Sequence, residues 1–555
     1  MIQFFRSNDQ GLKSRLGFMA LLGAFGLAAC QPLSNPLDAP VDLAPVSASI
    51  EVDPASTLRP TIPSGLFGFN IEWIENGNGL ADDQGMVAEA WTTRVAAGGV
   101  DHLRWPGGIF SDYYHWKDGI GPVTSRPTVP HHTDAGNGRD VLGTPGIVRW
   151  ARALGAGLLF TVNAGSGTAS EAADWVRYCN APGDSRRAAD GSTAPLGIVD
   201  WEVGNELYLP ENPGSPKVAI NAATYAARFL EFAAAMRAAA PSTAIRLHAI
   251  GGATSSWAPP PDPAWIDTLL ASAGAEVDVL AVHNAYHPYL YNAREASRTT
   301  REVYQALWAS PEAIGASLDR LAGKLSATES ARGLASGKIG LSITEWGPLF
   351  GADPKWVDHA KTLGSAVFVA RVFQILFARE RVRFAEAFKL TDSFTQGWIG
   401  WDGNPKPIWR VFSLFARQKN DRLVASRVYG SKDFSTERLG AVETATGLEE
   451  LCAQASVSAD GRKLRLSAVN RSWNRPYDVD LSLPAPWNTA RGTAQVLSGA
   501  SATDHDGPDV RPWIPLSAYS EVPRNGATSL TSSTLEAGKP LKLPPRSVAM
   551  LEWAL

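Results

Sequence analysis

Two apolar runs in this chain end on a carboxylate. DWEVGNELYLP (Asp200–Pro210) passes through Gly204 to Asn205-Glu206, and KIGLSITEWG (Lys338–Gly347) closes on Glu345-Trp346. Two carboxyl groups facing each other across a cleft can cut a glycosidic bond. One protonates the leaving oxygen while the other attacks the anomeric carbon or activates water. A separation of about 5–5.5 Å means retention of configuration, and wider spacing means inversion. A lone glutamate at a strand end is ordinarily a solvated or capping residue, so the weight comes from its neighbours. The Asn205 amide suits a sugar hydroxyl next to the reacting carbon, and Glu345 supplies the second carboxylate. Glu202 competes for the proton-donating role. Strand alternation puts it on the same face as Glu206 but deeper, where a structural carboxylate is expected.

The elements that must position these groups are legible as an alternation. Between Gly65 and Arg410 eight strand-like segments recur: LFGFNIEW, VDHLRWPG, GLLFTVNAG, IVDWEVGNE, IRLHAIGG, VDVLAVHNAY, KIGLSITEWG and RFAEAFKLTD. Stretches with helical apolar spacing separate them, among them ASEAADWVRYCN and GSAVFVARVFQILFARE. This predicts an α/β fold, a (β/α)8 TIM barrel over residues 62–414. A doubly wound sheet would open on a glycine-rich phosphate turn, and none is present. Working groups of a barrel lie at the C-terminal ends of its strands. Those ends hold Glu72, the loop RWPGGIFSDYYHW with Arg104, Asn163, Asn205-Glu206, His283 to Tyr286, and Glu345-Trp346. Beyond Phe415 the segments turn alternating and rich in Ser, Thr, Pro and Gly, as in LRLSAVNRSW and YDVDLSLPAP. ASIEVDPAS, ahead of the barrel, has the same character. A β-sandwich accessory domain is therefore expected from residues 47–61 together with 415–555.

The chain has 555 residues, 45% of them hydrophobic, and a net charge of −4 without long runs of either sign, so no nucleic-acid partner is expected. Arg6, Lys13 and Arg15 precede the apolar run Leu16–Ala29, which ends in LAAC. That is a signal peptide over residues 1–30, and Leu27-Ala28-Ala29-Cys30 resembles a bacterial lipoprotein signal, which implies lipidation of Cys30 and attachment to a membrane. Residues 31–46 form a Pro-rich tether, and the cell envelope is the expected location. Cys179 and Cys452 fall in different domains, so no disulfide framework is expected. Of the 19 tryptophans, Trp73, Trp105, Trp116, Trp346, Trp398 and Trp401 fall in loop-like segments. They either pack or form sugar platforms, and Trp398 and Trp401 suit the cleft rim. His131-His132 and His283/His287 lack thiol or carboxylate ligands at metal spacing, so neither metal nor other cofactor is expected. Asp112, Tyr113 and Trp116 are either loop packing or subsite contacts.

The strand-four NE and strand-seven E pattern resembles the retaining clan A glycoside hydrolases. LRWPGGIFSDYYHWKDGIGP (Leu103–Pro122) is similar to the Arg-aromatic-Pro-Gly-Gly loop of family 51, the α-L-arabinofuranosidases. So are GLFGFNIEW, EAADWVRYCN and the closing LKLPPRSVAMLEW. The resemblance implies a carbohydrate substrate, with Glu206 as acid/base, Glu345 as nucleophile and Asn205 on the hydroxyl next to the anomeric carbon. It implies Glu72 on the terminal sugar and Tyr286 orienting Glu345, with His283, Arg104, Trp346, Trp398 and Trp401 as further contacts. In those roles Glu206 is protonated at rest, and Glu345 stays ionised with help from a tyrosine or Arg104. The family's hexamers and trimers make a homo-oligomer one expectation. Tyr286 follows His283 by three residues where the family more often has two, and Ile109 stands where the family commonly has an asparagine that binds the furanose. An exo-acting arabinofuranosidase or related furanosidase is the first reading. Another clan A specificity (β-xylosidase, β-glucuronidase, endo-glucanase) is the second. A sugar-binding lipoprotein without turnover is the third.

Overall fold

The computed structural model describes residues 43–130, 137–209, 219–252, 264–283, 285–289, 298–351, 356–391, 396–506, 528–536 and 538–555. Cys30, the segments before residue 43, and His131-His132 lie outside them. The chain enters through β1 (Val46–Arg59) and then winds a closed parallel barrel. Its strands are β2 (Gly68–Asn70), β3 (His102–Trp105), β4 (Gly157–Val162), β5 (Asp200–Val203), β6 (Arg246–Ile250), β7 (Val279–Val282), β9 (Gly340–Pro348) and β10 (Val382–Ala387). Closure comes from β9 pairing with β7 on one side and β10 on the other, while β10 pairs with β2. The short β8 (Ala285–His287) extends the wall at the mouth, setting Ala285 beside Trp346 and Tyr286 beside Gly347. All eight expected strands form, but most stop earlier than the apolar runs. Glu72, Asn205 and Glu206 therefore lie just past their strands.

Among the described residues, eight helices of nine residues or more surround the barrel: α1 (Glu89–Ala97), α2 (Gly143–Leu154), α3 (Ala169–Asn180), α4 (Ala222–Ala239), α5 (Trp265–Ala273), α6 (Thr300–Ala331), α7 (Leu363–Phe377) and α8 (Pro407–Phe415). Side-chain oxygens start several of them. Thr168 accepts from Glu171 N ahead of α3, and Thr299 with Glu302 makes a capping box ahead of α6. The sequence reading lacked α8, a nine-residue helix whose proline at its start reads as a breaker, although proline fits a first helical turn.

The C-terminal strands and β1 form a nine-stranded sheet. In it β1 lies antiparallel to Arg422–Tyr429 and parallel to Tyr477–Ser482, as the alternating ASIEVDPAS segment implied. Leu541 and Leu543 at one end of the strand order share a core with Ala494 and Val496 near the other. The sheet therefore folds over on itself as a sandwich. Its remaining face meets α7, in which only Arg371 escapes burial. Leu423, Cys452, Val469, Leu497, Val548 and Met550 belong to the same continuous core as the barrel.

Arg59, the last residue of β1, is buried at 3% exposure behind α7. Its guanidinium donates to the carbonyls of Leu376, Phe377, Arg379, Glu380 and Val382 at 2.8–3.2 Å. Those are carbonyls of a helix end and of the turn into β10, of which Leu376 and Arg379 also accept from backbone N–H groups. Burial lowers its pKa to about 10, so it keeps its charge at neutral pH. Arg59→Met should lower unfolding free energy by about 2–4 kcal/mol, because it strands buried carbonyls. Urea denaturation would check this, and an unchanged midpoint would refute it.

Candidate active site at the barrel mouth

The barrel interior is polar in three layers. On the floor, His102 Nδ1 lies 2.7 Å from Glu386 and His248 Nε2 lies 3.0 Å from Asp200. Above it sits Arg104, fully buried. Its Nε donates to Glu202 at 2.7 Å, Nη1 to Asn70 at 2.8 Å and to Glu345 at 3.0 Å, and Nη2 to Asn205 at 2.7 Å. Burial disfavours its charge, yet Glu202 and Glu345 more than offset that and the net shift is upward. Glu202 also accepts from Thr161 at 2.8 Å. Burial pushes its carboxyl up, but Arg104, His283 and the hydroxyls of Thr161 and Thr344 together outweigh it and leave it lowered. It is the anchor of the guanidinium, one layer below the mouth.

The loop after β5 is built to lift Glu206 off the wall. Gly204 has φ +82°, and a Cβ there would come within 2.9 Å of Leu207 and 3.1 Å of Ala164. Asn205 N–H donates to both oxygens of Asp112, at 3.3 and 3.2 Å. Glu206 then takes φ +43°, a left-handed conformation that a non-glycine residue holds at a cost of roughly 1–2 kcal/mol. The surroundings impose it. Leu207 is fully buried and accepts from Ile220 N at 2.9 Å, and Glu206 O accepts from Leu209 N at 2.9 Å.

Glu345 is aimed by a different device. The β9–β10 register runs Ile343 to Ala385 and then slips before Trp346 meets Ala387. Across this irregularity Thr344 and Glu345, though adjacent, both face inward. Thr344 meets His283 Nε2 at 3.0 Å, and Glu345 meets Arg104 and the Tyr286 hydroxyl, which donates to Oε2 at 3.3 Å. Opposite, His283 Nδ1 is 2.9 Å from Glu206 Oε1 and 3.9 Å from Glu345 Oε2. The Tyr208 hydroxyl donates to Glu206 at 3.4 Å. One ligand atom each from Glu206, His283 and Glu345 lies within 4.8 Å of the others, a spacing that would also suit a metal ion. Pairing His283 with His287 in sequence did not anticipate that grouping.

Burial pushes the Glu345 carboxyl above its ordinary range, and the Glu206 charge adds to this against His283 and Arg104. Two carboxyls this close titrate as a pair. Burial alone would strip the His283 proton, but Glu345 and Glu206 outweigh it and raise the pKa. Glu206, His283 and Glu345 thus form one buried cluster whose charges act on one another.

Glu72 lies at the same mouth, fully buried, accepting from Asn78 at 3.0 Å and paired with Lys389. The Gly108 backbone passes so close that a Cβ would come within 2.7 Å of Glu72 Oε1. Lys389 follows β10, and Asn70 shares the face of Glu72. Reading the end of the eighth strand, FKLTD, by the same rule as the other seven would have found Lys389. Two tryptophans do not reach the site. Trp346 points outward at zero exposure, its ring 5.3 Å from Phe373 and 5.3 Å from Trp398, and Trp398 packs 5.2 Å from Phe69. The register slip that turns Glu345 inward turns its neighbour out. Trp401 is half-buried and donates Nε1 to Asn78 O at 2.8 Å, on the loop that holds Glu72. Trp73, Trp105 and Trp116 are core, the last 6.3 Å from Trp175 in a stacked pair. Ile109 opens the turn Ile109–Tyr113 and packs its side chain on the main core.

Residues 95–293 match the alpha-L-arabinofuranosidase 1 domain. A probable alpha-L-arabinofuranosidase C of Aspergillus niger is 30% identical over 221 residues, which are 38% of this chain and 43% of that one. The chain thus matches less than half the length of that relative. An exo-alpha-(1->6)-L-arabinofuranosidase of Bifidobacterium longum is 26% identical over 76% of this chain and 81% of its own. Among solved structures, an arabinose complex of the Thermotoga maritima α-L-arabinofuranosidase superposes with a TM-score of 0.71 at 24% identity, covering 92% of this chain and 100% of that one. A family 51 α-L-arabinofuranosidase of Bifidobacterium longum does so with a TM-score of 0.74 at 22% identity, covering 93% and 100%. Residues 95–293 thus match an alpha-L-arabinofuranosidase 1 domain, and the chain shares the barrel-and-sandwich fold of the family 51 α-L-arabinofuranosidase from Bifidobacterium longum.

Proposed function

We propose that the chain is a retaining glycoside hydrolase that removes α-L-arabinofuranosyl groups from polysaccharides or oligosaccharides. The observation that carries this is the approach of Glu206 and Glu345, whose nearest oxygens, with His283 between, lie within 4.8 Å. That short spacing suits direct attack, since inverting pairs stand about 6.5–9.5 Å apart to admit a water. The names of the relatives supply the sugar.

The hydrogen bonds support one division of roles. Glu345 receives Arg104 and Tyr286, donors that favour its charged form, and acts as nucleophile. Its Oε attacks the anomeric carbon, forming the ester bond, while Glu206 gives its proton to the departing oxygen, so the aglycone leaves as an alcohol. Glycosylation removes the charge on Glu345, and Glu206, now ionised, takes a proton from water as that water attacks the same carbon. The ester bond breaks and Glu345 regains its charge. His283, in contact with both carboxylates, holds the Glu206 carboxyl in place through each transfer. Asn205, fixed by Arg104 and Asp112, is placed for the hydroxyl beside the reacting carbon, and Glu72 for the far side of the ring. Cys30 we read as a lipid anchor and the cell envelope as the location, on the N-terminal sequence. No helix among the described residues is long and apolar enough to cross a membrane.

Glu345→Gly should abolish hydrolysis of nitrophenyl α-L-arabinofuranoside, and azide should restore turnover as glycosyl azide. Activity retained without azide would remove Glu345 from the reaction. Glu206→Ala should cost about 100- to 10,000-fold on substrates with poor leaving groups and much less on activated aryl glycosides. Equal losses on both would refute its role as acid. Because burial and the Glu206 charge raise the Glu345 pKa, activity should fall as pH drops through that raised value. Glu206→Gln, which removes a like charge, should move this acid limb to lower pH in pre-steady-state glycosylation by an activated substrate. An unmoved limb would break the coupling. Cys30→Ser should shift the protein from the membrane to the soluble fraction of a bacterial host, and unchanged fractionation would count against the anchor.

A further inference from the structure

After the strand Arg422–Tyr429 the accessory chain departs from its sheet as a hairpin, Asp433–Thr436 against Ala445–Glu449. The hairpin narrows to a turn in which Leu439 and Val442 exchange both backbone hydrogen bonds at 2.9 Å. Both side chains are buried in the continuous core, at 2% and 3% exposure. Glu437, just before the turn, pairs with Arg298 at 3.3 Å, beside the start of α6. The turn is therefore fixed to the barrel on two sides, and its tip residue Ala441 has a defined place.

That place is the catalytic mouth. Tyr286, Tyr289, Leu349 and Phe388 form a small apolar cluster separate from the main core, and Ala441 packs against it. Among the described residues, the four members come from β8, from the loops after β8 and β9, and from the loop after β10. Ala441 alone comes from the accessory domain. The Tyr286 and Phe388 rings meet edge to face, with centroids 6.5 Å apart. Tyr286 is fully buried, so its ring goes where the cluster puts it. Its hydroxyl reaches Glu345 at 3.3 Å, near the limit of a hydrogen bond. A displacement of a few tenths of an ångström would forfeit that bond.

We propose that Ala441 is a positioning residue for the reaction, and that the accessory hairpin seats Tyr286 and through it fixes the orientation and proton affinity of Glu345. Resting on the reading of Glu345 as nucleophile, the proposal makes the sandwich a working part of the site. Ala441 itself touches no reacting atom. The small side chain fits because a larger one would press into the cluster, and a smaller one would leave it unsupported.

The test is a double-mutant cycle with the full chain and an activated aryl α-L-arabinofuranoside. Tyr286→Phe deletes the hydrogen bond. It should lower kcat about tenfold with little change in KM and move the acid limb of the pH profile upward, the scale being that of one hydrogen bond to an ionised group. Ala441→Leu should reproduce the kcat loss and the pH shift, Ala441→Gly should do so more weakly, and Ala441→Ser should keep the parent profile. Tyr286→Phe combined with Ala441→Leu should be no slower than Tyr286→Phe alone. Should Ala441→Leu not fold, as judged by circular dichroism, Ala441→Gly carries the cycle. Losses that multiply, or a fall in melting temperature with the pH profile unmoved, would overturn the proposal while leaving the glycosidase reading intact. Absence of turnover in the parent chain would overturn both.

Discussion

The site depends on one buried cation. The Arg104 guanidinium offers its planar fork to Glu202, Asn70, Asn205 and Glu345, four acceptors drawn from β5, β2, the loop after β5 and β9. An ammonium on a flexible stem could not satisfy four directions at once. Burying such a charge is costly unless every donor finds a partner, and Glu202, a layer down, supplies the compensating charge. The deeper carboxylate is therefore what allows an arginine to stand in the middle of a barrel. The arginine in turn locks the amide of Asn205 and one oxygen of Glu345 at a fixed separation. Preorganisation of this kind removes the reorganisation cost that flexible groups would bring to the chemical step.

Much of this was legible in the sequence. Eight strands form where they were read, though most are shorter, because each is a short apolar run closed by a polar turn, and barrel topology follows from the alternation with helices. β1 was recognisable as part of the sandwich from period-two alternation alone. Strand-end logic located both glutamates, Asn205, Glu72, His283 and Tyr286. It failed wherever local geometry departed from period two. Trp346 follows Glu345 directly, and a regular strand would send such neighbours to opposite faces. Placing both in the cleft ignored that alternation, while the register slip in β9 breaks it one residue earlier and sends Thr344 and Glu345 together into the barrel. Trp398 lies beyond β10 in a glycine-rich stretch that reads as an exposed rim, yet the chain folds back and packs it edge to face against Trp346. Burial of this kind comes from long-range packing, which no window of sequence contains. Arg59 escaped for the same reason: it bonds the carbonyls of Leu376 and Val382, 317 and 323 positions away. The raised pKa of Glu345 is likewise a property of three groups at close quarters.

Barrel and sandwich meet in a way that makes neither independent. α7 is buried almost all round, with barrel wall on one side and accessory strands on the other. Gln374 shows the join at the level of single bonds: its side-chain amide donates to Ser467 at 3.1 Å and its backbone carbonyl accepts from the Gln454 side chain at 2.9 Å. Arg59 then closes the end of the same helix from the N-terminal strand. A helix with no solvent face cannot form stably until both neighbours are present. The order of elements in the chain, with the first strand of the sandwich preceding the barrel, means that the two ends must meet before either domain is finished.

The slip in β9 has a consequence for how this chain tolerates recombination. Along the strand, residues up to Ile343 keep one phase of inside and outside, and residues from Trp346 keep the other. Thr344 and Glu345 sit on the boundary between phases. A segment spliced in from a relative carries its own phase, so a junction within these four positions joins two incompatible alternations. Every side chain downstream would then change face, exposing Trp346 to the cleft and turning the carboxylate into the hydrophobic layer. The workable seams lie in the loops on either side, so the strand passes between relatives only as a whole.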